Sequence, residues 1–201
     1  MKKLLTLTLL VGAATIAFGQ GQINWANTSG TLISLNGTSM PFNSGGASTY
    51  YFGLFIAPAG TAAPLMTGPG GVDGIADANW QQVAAYTVNS TAANGAGRML
   101  NPGVATVTGF GQGTSVSFIV RAWQSTSGTT DWAAAQPGLT WLGTSVLGST
   151  SLGGGVLPIP GAFGVGAGQI GGFNVVPVPE PSTMALAGLG AAGLLLFRRR
   201  K

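Results

Sequence analysis

The chain of 201 residues contains no cysteine and no histidine, and only 6% of it is charged. Without cysteine there is no disulfide framework, even in an oxidising compartment that would permit one. Without either residue a Ser–His–Asp triad, a Cys–His pair and a zinc site of nitrogen and sulfur ligands are all excluded. Acidic residues are scarce as well: four against eight basic ones. The resulting isoelectric point of about 10.0 is a property of the chain ends. Lys2 and Lys3 stand at one end, and Arg198, Arg199, Arg200 and Lys201 at the other. Between Gln20 and Val178 only Arg98 and Arg121 face Asp73, Asp77 and Asp131, so that stretch is close to neutral, about −1. A nucleic-acid face needs clustered Lys and Arg, and no such cluster exists there, so no nucleic-acid partner is expected.

The two ends read as targeting segments. Lys2 and Lys3 precede an apolar run from Leu4 to Phe18, the charged and apolar regions of a secretory signal. Small residues at Ala17 and Gly19 place signal-peptidase cleavage before Gln20, giving a signal peptide over 1–19 and export by the Sec machinery. At the other end Pro177, Pro179 and Pro181 keep the approach extended, since each fixes φ and lacks an N–H. An uncharged run then leads to the terminal cations. From Ser182 to Phe197 a helix would reach roughly 24 Å, short of a bilayer core of about 30 Å. The run is a marginal span, helped by snorkelling Arg side chains. A cationic flank stays cytoplasmic, which puts the body of the protein on the far side of the inner membrane.

Pro179-Glu180-Pro181, the short apolar helix over 182–197 and the basic tail 198–201 with Arg198, Arg199 and Arg200 occur in that order at the C-terminal end. This arrangement resembles the PEP-CTERM sorting signal of Gram-negative bacteria, and the resemblance covers about the last 25 residues. It implies recognition and processing by an exosortase, a membrane-embedded protease. It also implies transient anchoring in the inner membrane, then delivery to the cell surface or an extracellular polysaccharide matrix. A permanent C-terminal anchor is the plainer alternative.

Residues 20–176 remain as one domain, long enough to bury a core. Glycine is abundant, at 35 residues, and Ser, Thr, Asn and Gln take the places that charges occupy on most surfaces. Strand patterns run through it. Gly21 to Asn27 alternates with Ile23 and Trp25 on one face, and Thr31 to Asn36 ends in the turn signal Asn36-Gly37. Ser48 to Ala57 is apolar on both faces, as an internal strand would be, with Gly53 marking a bulge or a close contact. Trp80 to Val88 follows, with Val83 and Tyr86 expected inside. Val104 to Thr108 is expected to pair with Thr114 to Gln124 across a hairpin closed by Gly111 to Gly113. In the latter, Val116, Phe118, Val120 and Ala122 form one face, and Ser115, Ser117, Ile119, Arg121 and Trp123 the other. Asp131 caps one helical turn, Trp132 to Gln136. Leu139 to Leu147 and Gln169 to Val176 are further strands, and Ser149 to Gly168 is irregular. Seven to nine short strands with Gly-rich loops predict an all-β fold, a single β-sandwich or jelly roll. No internal period supports a β-solenoid.

Chemistry-bearing residues are few. A glycosidase needs two carboxylates across the scissile bond, and the domain offers only Asp73, Asp77 and Asp131. Asp73 and Asp77 share one loop and are a calcium candidate that lacks the ligand density of an EF-hand loop. No cofactor and no enzymatic activity are expected. Arg121 beside Trp123 suggests two things: a sugar-contacting platform, or an Arg paired with an acid such as Asp131 and lying over a Trp face. The expected role is structural or adhesive, in exopolysaccharide or biofilm. The alternative is a carbohydrate-binding module, and a polysaccharide-active enzyme is the third reading.

Overall fold

A computed structural model of the chain describes residues 19–43, 49–64, 79–92, 95–178 and Leu189. Apart from Gly19 and Leu189, the expected signal peptide and the expected membrane helix with its basic tail lie outside the described residues. No helix among the described residues is long and apolar enough to cross a membrane.

The fold is all-β. Its strands are β1 (Gln20–Asn24), β2 (Ser34–Leu35), β3 (Thr38–Ser39), β4 (Tyr51–Pro58), β5 (Gln81–Val88), β6 (Val104–Gly111), β7 (Ser115–Ser125), β8 (Leu139–Thr144), β9 (Gly148–Ser151) and β10 (Asn174–Pro177). A helix α1 (Trp132–Ala135) and a 3-10 turn (Gln136–Gly138) stand between β7 and β8. Eight strands form one sheet in the order β3-β2-β10-β8-β7-β4-β5, with β9 also on β7. β8 and β9 share one edge of the long β7: Arg121 to Ser125 pairs with β8 and Ser115 to Phe118 with β9. Ser145 fills the gap, its N–H donating to Val120 O (2.9 Å) and its Oγ accepting from Val120 N (3.0 Å).

β1 and β6 make a separate two-stranded antiparallel sheet. The free edge of β1 is continued by residues 153–162: Gln22 and Gly153 exchange N–H···O bonds at 2.9 Å, and Asn24 N–H reaches Pro160 O at 2.9 Å. Ile23, Ala105 and Val107 of the small sheet share one buried cluster with Phe52, Leu54, Ile56, Val116, Phe118, Val120 and Ala122 of the large one. The alternation of β7 sends these residues to one face and Ile119, Arg121 and Trp123 to the other, as a period of two requires. β4 is paired along both edges, by β7 and β5, and is covered on both faces, Phe52, Leu54 and Ile56 in one cluster and Phe55 and Ala57 in the other. Gly53 meets both expectations. The register of β4 on β5 shifts between Gly53 and Phe55, and a Cβ at Gly53 would stand 3.0 Å from the Trp123 ring.

Asn36 and Gly37 both take positive φ, 48° and 81°, and join β2 to β3 with Leu35 opposite Thr38. This is the twist that a two-residue hairpin demands. Two expectations fail. β6 does not form a hairpin with β7; it pairs with β1, and the glycine corner at 111–113 carries the chain from one sheet to the other. Side-by-side pairing would leave one apolar face of each strand in a single layer. Stacking buries Ala105 and Val107 against β7 instead. Tyr86 is 54% exposed: β5 buries Val83 and Thr87, and a period of two puts a residue three positions beyond Val83 on the opposite face. β9 also forms within a stretch expected to be irregular.

Candidate functional site

The face of the large sheet turned away from the two-stranded sheet carries Phe55, Ala57, Ile119, Trp123 and Leu142, and is closed by Trp80, Trp132 and Ala135. The chain between β7 and β8 makes this cover. Asp131 Oδ1 accepts from Ala133 N at 2.9 Å and so caps α1, satisfying a donor that the first turn leaves open. Two cross-links hold the cover down. Gln82 donates Nε2–H to Thr130 O (3.2 Å) and accepts Trp132 N–H at Oε1 (3.2 Å). Trp123 donates Nε1–H to Thr129 O at 3.1 Å.

Arg121 lies under this cover. Its Cζ sits 4.8 Å from the Trp132 ring centroid and 5.3 Å from that of Phe55. A guanidinium over aromatic faces is attracted by the ring quadrupoles, more so when desolvated. Trp132 and Trp123 meet edge to face at 5.5 Å, and Phe55 and Trp132 at 6.1 Å. Arg121 and Trp123 are both 0% exposed. This corrects the sugar-contact expectation for the pair: a platform must present a face to solvent, and both side chains are sealed beneath α1. The Trp face that Arg121 lies over is that of Trp132. Asp131 is exposed and directed at the helix N-terminus.

Beside the cover lies an open hollow of about 440 Å³, lined by Thr49, Tyr51, Gln124, Ser125, Thr126, Gly128 and Thr140. Its walls are hydroxyls, one amide and one phenol ring. The ring of Tyr51 is backed by Trp123, with centroids 6.4 Å apart and planes at 31°. Gln124 is held in place. Its Nε2–H donates to Thr49 O at 3.4 Å, and its Oε1 accepts from Thr140 Oγ1 at 3.3 Å. No local pattern marks this site, because its two sides come from chain segments 75 residues apart.

Two asparagines also escaped sequence reasoning. Asn89 is buried, accepts Tyr50 N–H at Oδ1 (3.0 Å) and donates to Pro41 O (3.0 Å). Asn27 ties Thr31 O, Gly97 O and Met99 N together. Both open N-x-S/T triplets, and neither is a free surface acceptor.

The junctions with the two ends are partly described. Gln20 is the first residue of β1 and pairs with Gly111, while Gly19 O accepts Gln112 N–H at 3.1 Å. At the other end β10 pairs with β8 through Pro177, and Val178 N–H donates to Thr140 O at 2.8 Å. Val178 packs on the aromatic cluster with Tyr51. Ala17, Asp73, Asp77, Pro179, Glu180, Pro181, Arg198, Arg199 and Arg200 lie outside the described residues.

No curated protein and no solved structure matches the chain. One family model matches, over residues 177–201, and it begins where the last strand ends. That match rests on the region containing Pro179-Glu180-Pro181 and the terminal arginines, and it implies export with an exosortase as processing partner. The C-terminal segment of this chain is a PEP-CTERM protein-sorting motif.

Proposed function

We propose that this is an exported, non-enzymatic β-sandwich protein, processed at its C-terminus by an exosortase and serving a structural or adhesive role in extracellular polysaccharide. The observation that carries the reading is the sorting motif at residues 177–201. It follows β10 with only Val178 between the sheet and Pro179. The signal peptide over 1–19 brings the chain to the Sec machinery and signal peptidase. The apolar run 182–197 then holds it in the inner membrane, with the arginines on the cytoplasmic side, until it is cut. The cut leaves the domain at the cell surface or in the matrix.

The composition of the domain supports a hydrated, uncharged setting. It has few charges, and one of its two cations, Arg121, is fully buried. A near-neutral surface rich in hydroxyls and amides has no strong field to draw in charged partners. It suits contact with polysaccharide, whose own groups are hydroxyls. The carboxylates of the domain are Asp73, Asp77 and Asp131, and Asp131 is engaged as the cap of α1, which leaves Asp73 and Asp77 for any hydrolytic reading. Turnover of a polysaccharide that Asp73→Asn or Asp77→Asn abolished would overturn the non-enzymatic assignment.

The deciding experiment is the intact mass of the protein isolated from its native cells, with sequencing of its C-terminal peptide. The expected chain ends near Pro179-Glu180-Pro181, has lost its arginines and fractionates with the cell surface or matrix. A mass running through Lys201, in a protein that stays with the inner membrane, would make the tail a permanent anchor and remove the matrix assignment.

A further inference from the structure

We propose that the hollow formed by Tyr51, Gln124, Ser125, Thr126 and Thr140 is a binding subsite for one neutral sugar unit of a glycan. This rests on the matrix reading above and gives it a specific contact. The hollow has the volume range of a small-ligand site, about 300–1,000 Å³. No charged residue is among those that line it. An ionised ligand would lose its hydration there without meeting a counter-charge, and an apolar one would strip water from hydroxyls without replacing their hydrogen bonds. A neutral polyol meets neither difficulty. Its hydroxyls both donate and accept, and so do the Thr, Ser and Gln groups around it. Its C–H face can lie on the half-exposed ring of Tyr51.

The site is preorganised. Gln124 is fixed by Thr49 and Thr140. Tyr51 stands on Trp123, which is locked to Thr129. Opposite the phenol is Gly128, with φ of 60°; a Cβ there would come 3.8 Å from the Tyr51 hydroxyl. The loop therefore approaches the phenol with backbone alone. Thr140, on the floor of the hollow, also accepts the N–H of Val178. The subsite therefore lies at the end of the domain from which the sorting segment leaves.

The test is an NMR titration of the full-length, nitrogen-15-labelled chain in detergent micelles. The probes are glucose, galactose, mannose and N-acetylglucosamine with their disaccharides, and glucuronate as the charged comparison. We expect saturable shifts at the amides of residues 49–51, 124–128 and 140 for at least one neutral sugar, with Kd on the order of 1 mM, as an open site gives. Glucuronate should bind more weakly than glucose. Tyr51→Ala should weaken binding about tenfold or more, Tyr51→Phe by less, and Val156→Ala, on the exposed turn beside Gly113 at the other end of β7, not at all. Far-UV circular dichroism of each variant checks that it is folded, and Tyr51→Phe keeps the ring where Tyr51→Ala does not fold. No saturable shift with any neutral sugar would overturn the proposal. Shifts elsewhere on the surface, or tighter binding of glucuronate, would do the same. Any of these results would leave the matrix reading intact if the native protein still lacks its arginine tail and fractionates with the matrix.

Discussion

The two faces of the large sheet are built by the same strands and differ in kind. Towards the small sheet, β4 and β7 present Phe52, Leu54, Ile56, Val116, Phe118, Val120 and Ala122. Away from it they present Tyr51, Phe55, Ile119, Arg121 and Trp123. The first face is held by volume. Aliphatic and phenyl side chains fill the space between two layers, and a gap has no other remedy. The second is held by direction. A buried cation lies between two rings, and three backbone carbonyls or amides of the cover are tied down by Gln82 and Trp123. A domain with so few charges buries one of them where aromatic faces, rather than water, surround it.

The sharpest break of the first face is Phe118→Ala. Phe118 is fully buried, and its ring lies against the Cα side of Gly148 in β9. Truncation leaves a cavity between the two layers, beside Gly148, which has no side chain to fill it. The expected loss is about 3–5 kcal/mol, read as a lower midpoint in urea unfolding with an unchanged slope. A midpoint within error of the parent would mean that the two layers slide together, and that volume does not hold this face.

The second face is tested by Arg121→Lys, which keeps the charge and removes the flat fork. An ammonium is a hydrated point charge and cannot stack on Trp132 and Phe55. We expect a loss of about 1–2 kcal/mol, with a change in near-ultraviolet circular dichroism from the repacked tryptophans. If Lys is as stable as Arg, charge alone suffices and the stacking geometry is incidental. A smaller effect is expected one step out. Asp131→Ala removes the N-cap of α1 and should cost roughly 0.5–1 kcal/mol, because the Gln82 tethers to Thr130 and Trp132 remain.

The difference between the faces was half legible in the sequence. The alternation from Ser115 to Trp123 assigns every residue of β7 to its face, because a strand allows no other period. The double-sided apolar run that becomes β4 identifies an internal strand for the same reason. Asn36-Gly37 and Asp131 declare a turn and a cap by local chemistry. What stayed hidden depends on partners far along the chain. Arg121 looks like a surface residue until residues 129–135 close over it. Val104 to Gly111 looks like half of a hairpin with β7, because nothing local says that β1 will take it. Gly148–Ser151 carries no apolar alternation, and becomes a strand because the first half of β7 has an open edge. The sorting motif was fully legible, since its proline, apolar and cationic parts act in sequence order and need no fold.

The smallest effect separates the faces by charge. Tyr50 and Tyr51 are neighbours on opposite sides of the sheet. Tyr50 turns into the aliphatic cluster, is 4% exposed and meets Trp141 edge to face at 6.3 Å. Burial there disfavours the phenolate and pushes the Tyr50 phenol above its ordinary 10.0. In the unfolded chain the same group ionises at its ordinary value. Its contribution is therefore intact below pH 10.0 and is lost as the pH climbs from there towards the folded value. Urea unfolding at about pH 9 and about pH 11 should show a loss of stability that Tyr50→Phe reduces. Equal losses in the two proteins would mean that water reaches Tyr50 on ionisation. The aliphatic face would then be no more hostile to charge than the one that encloses Arg121.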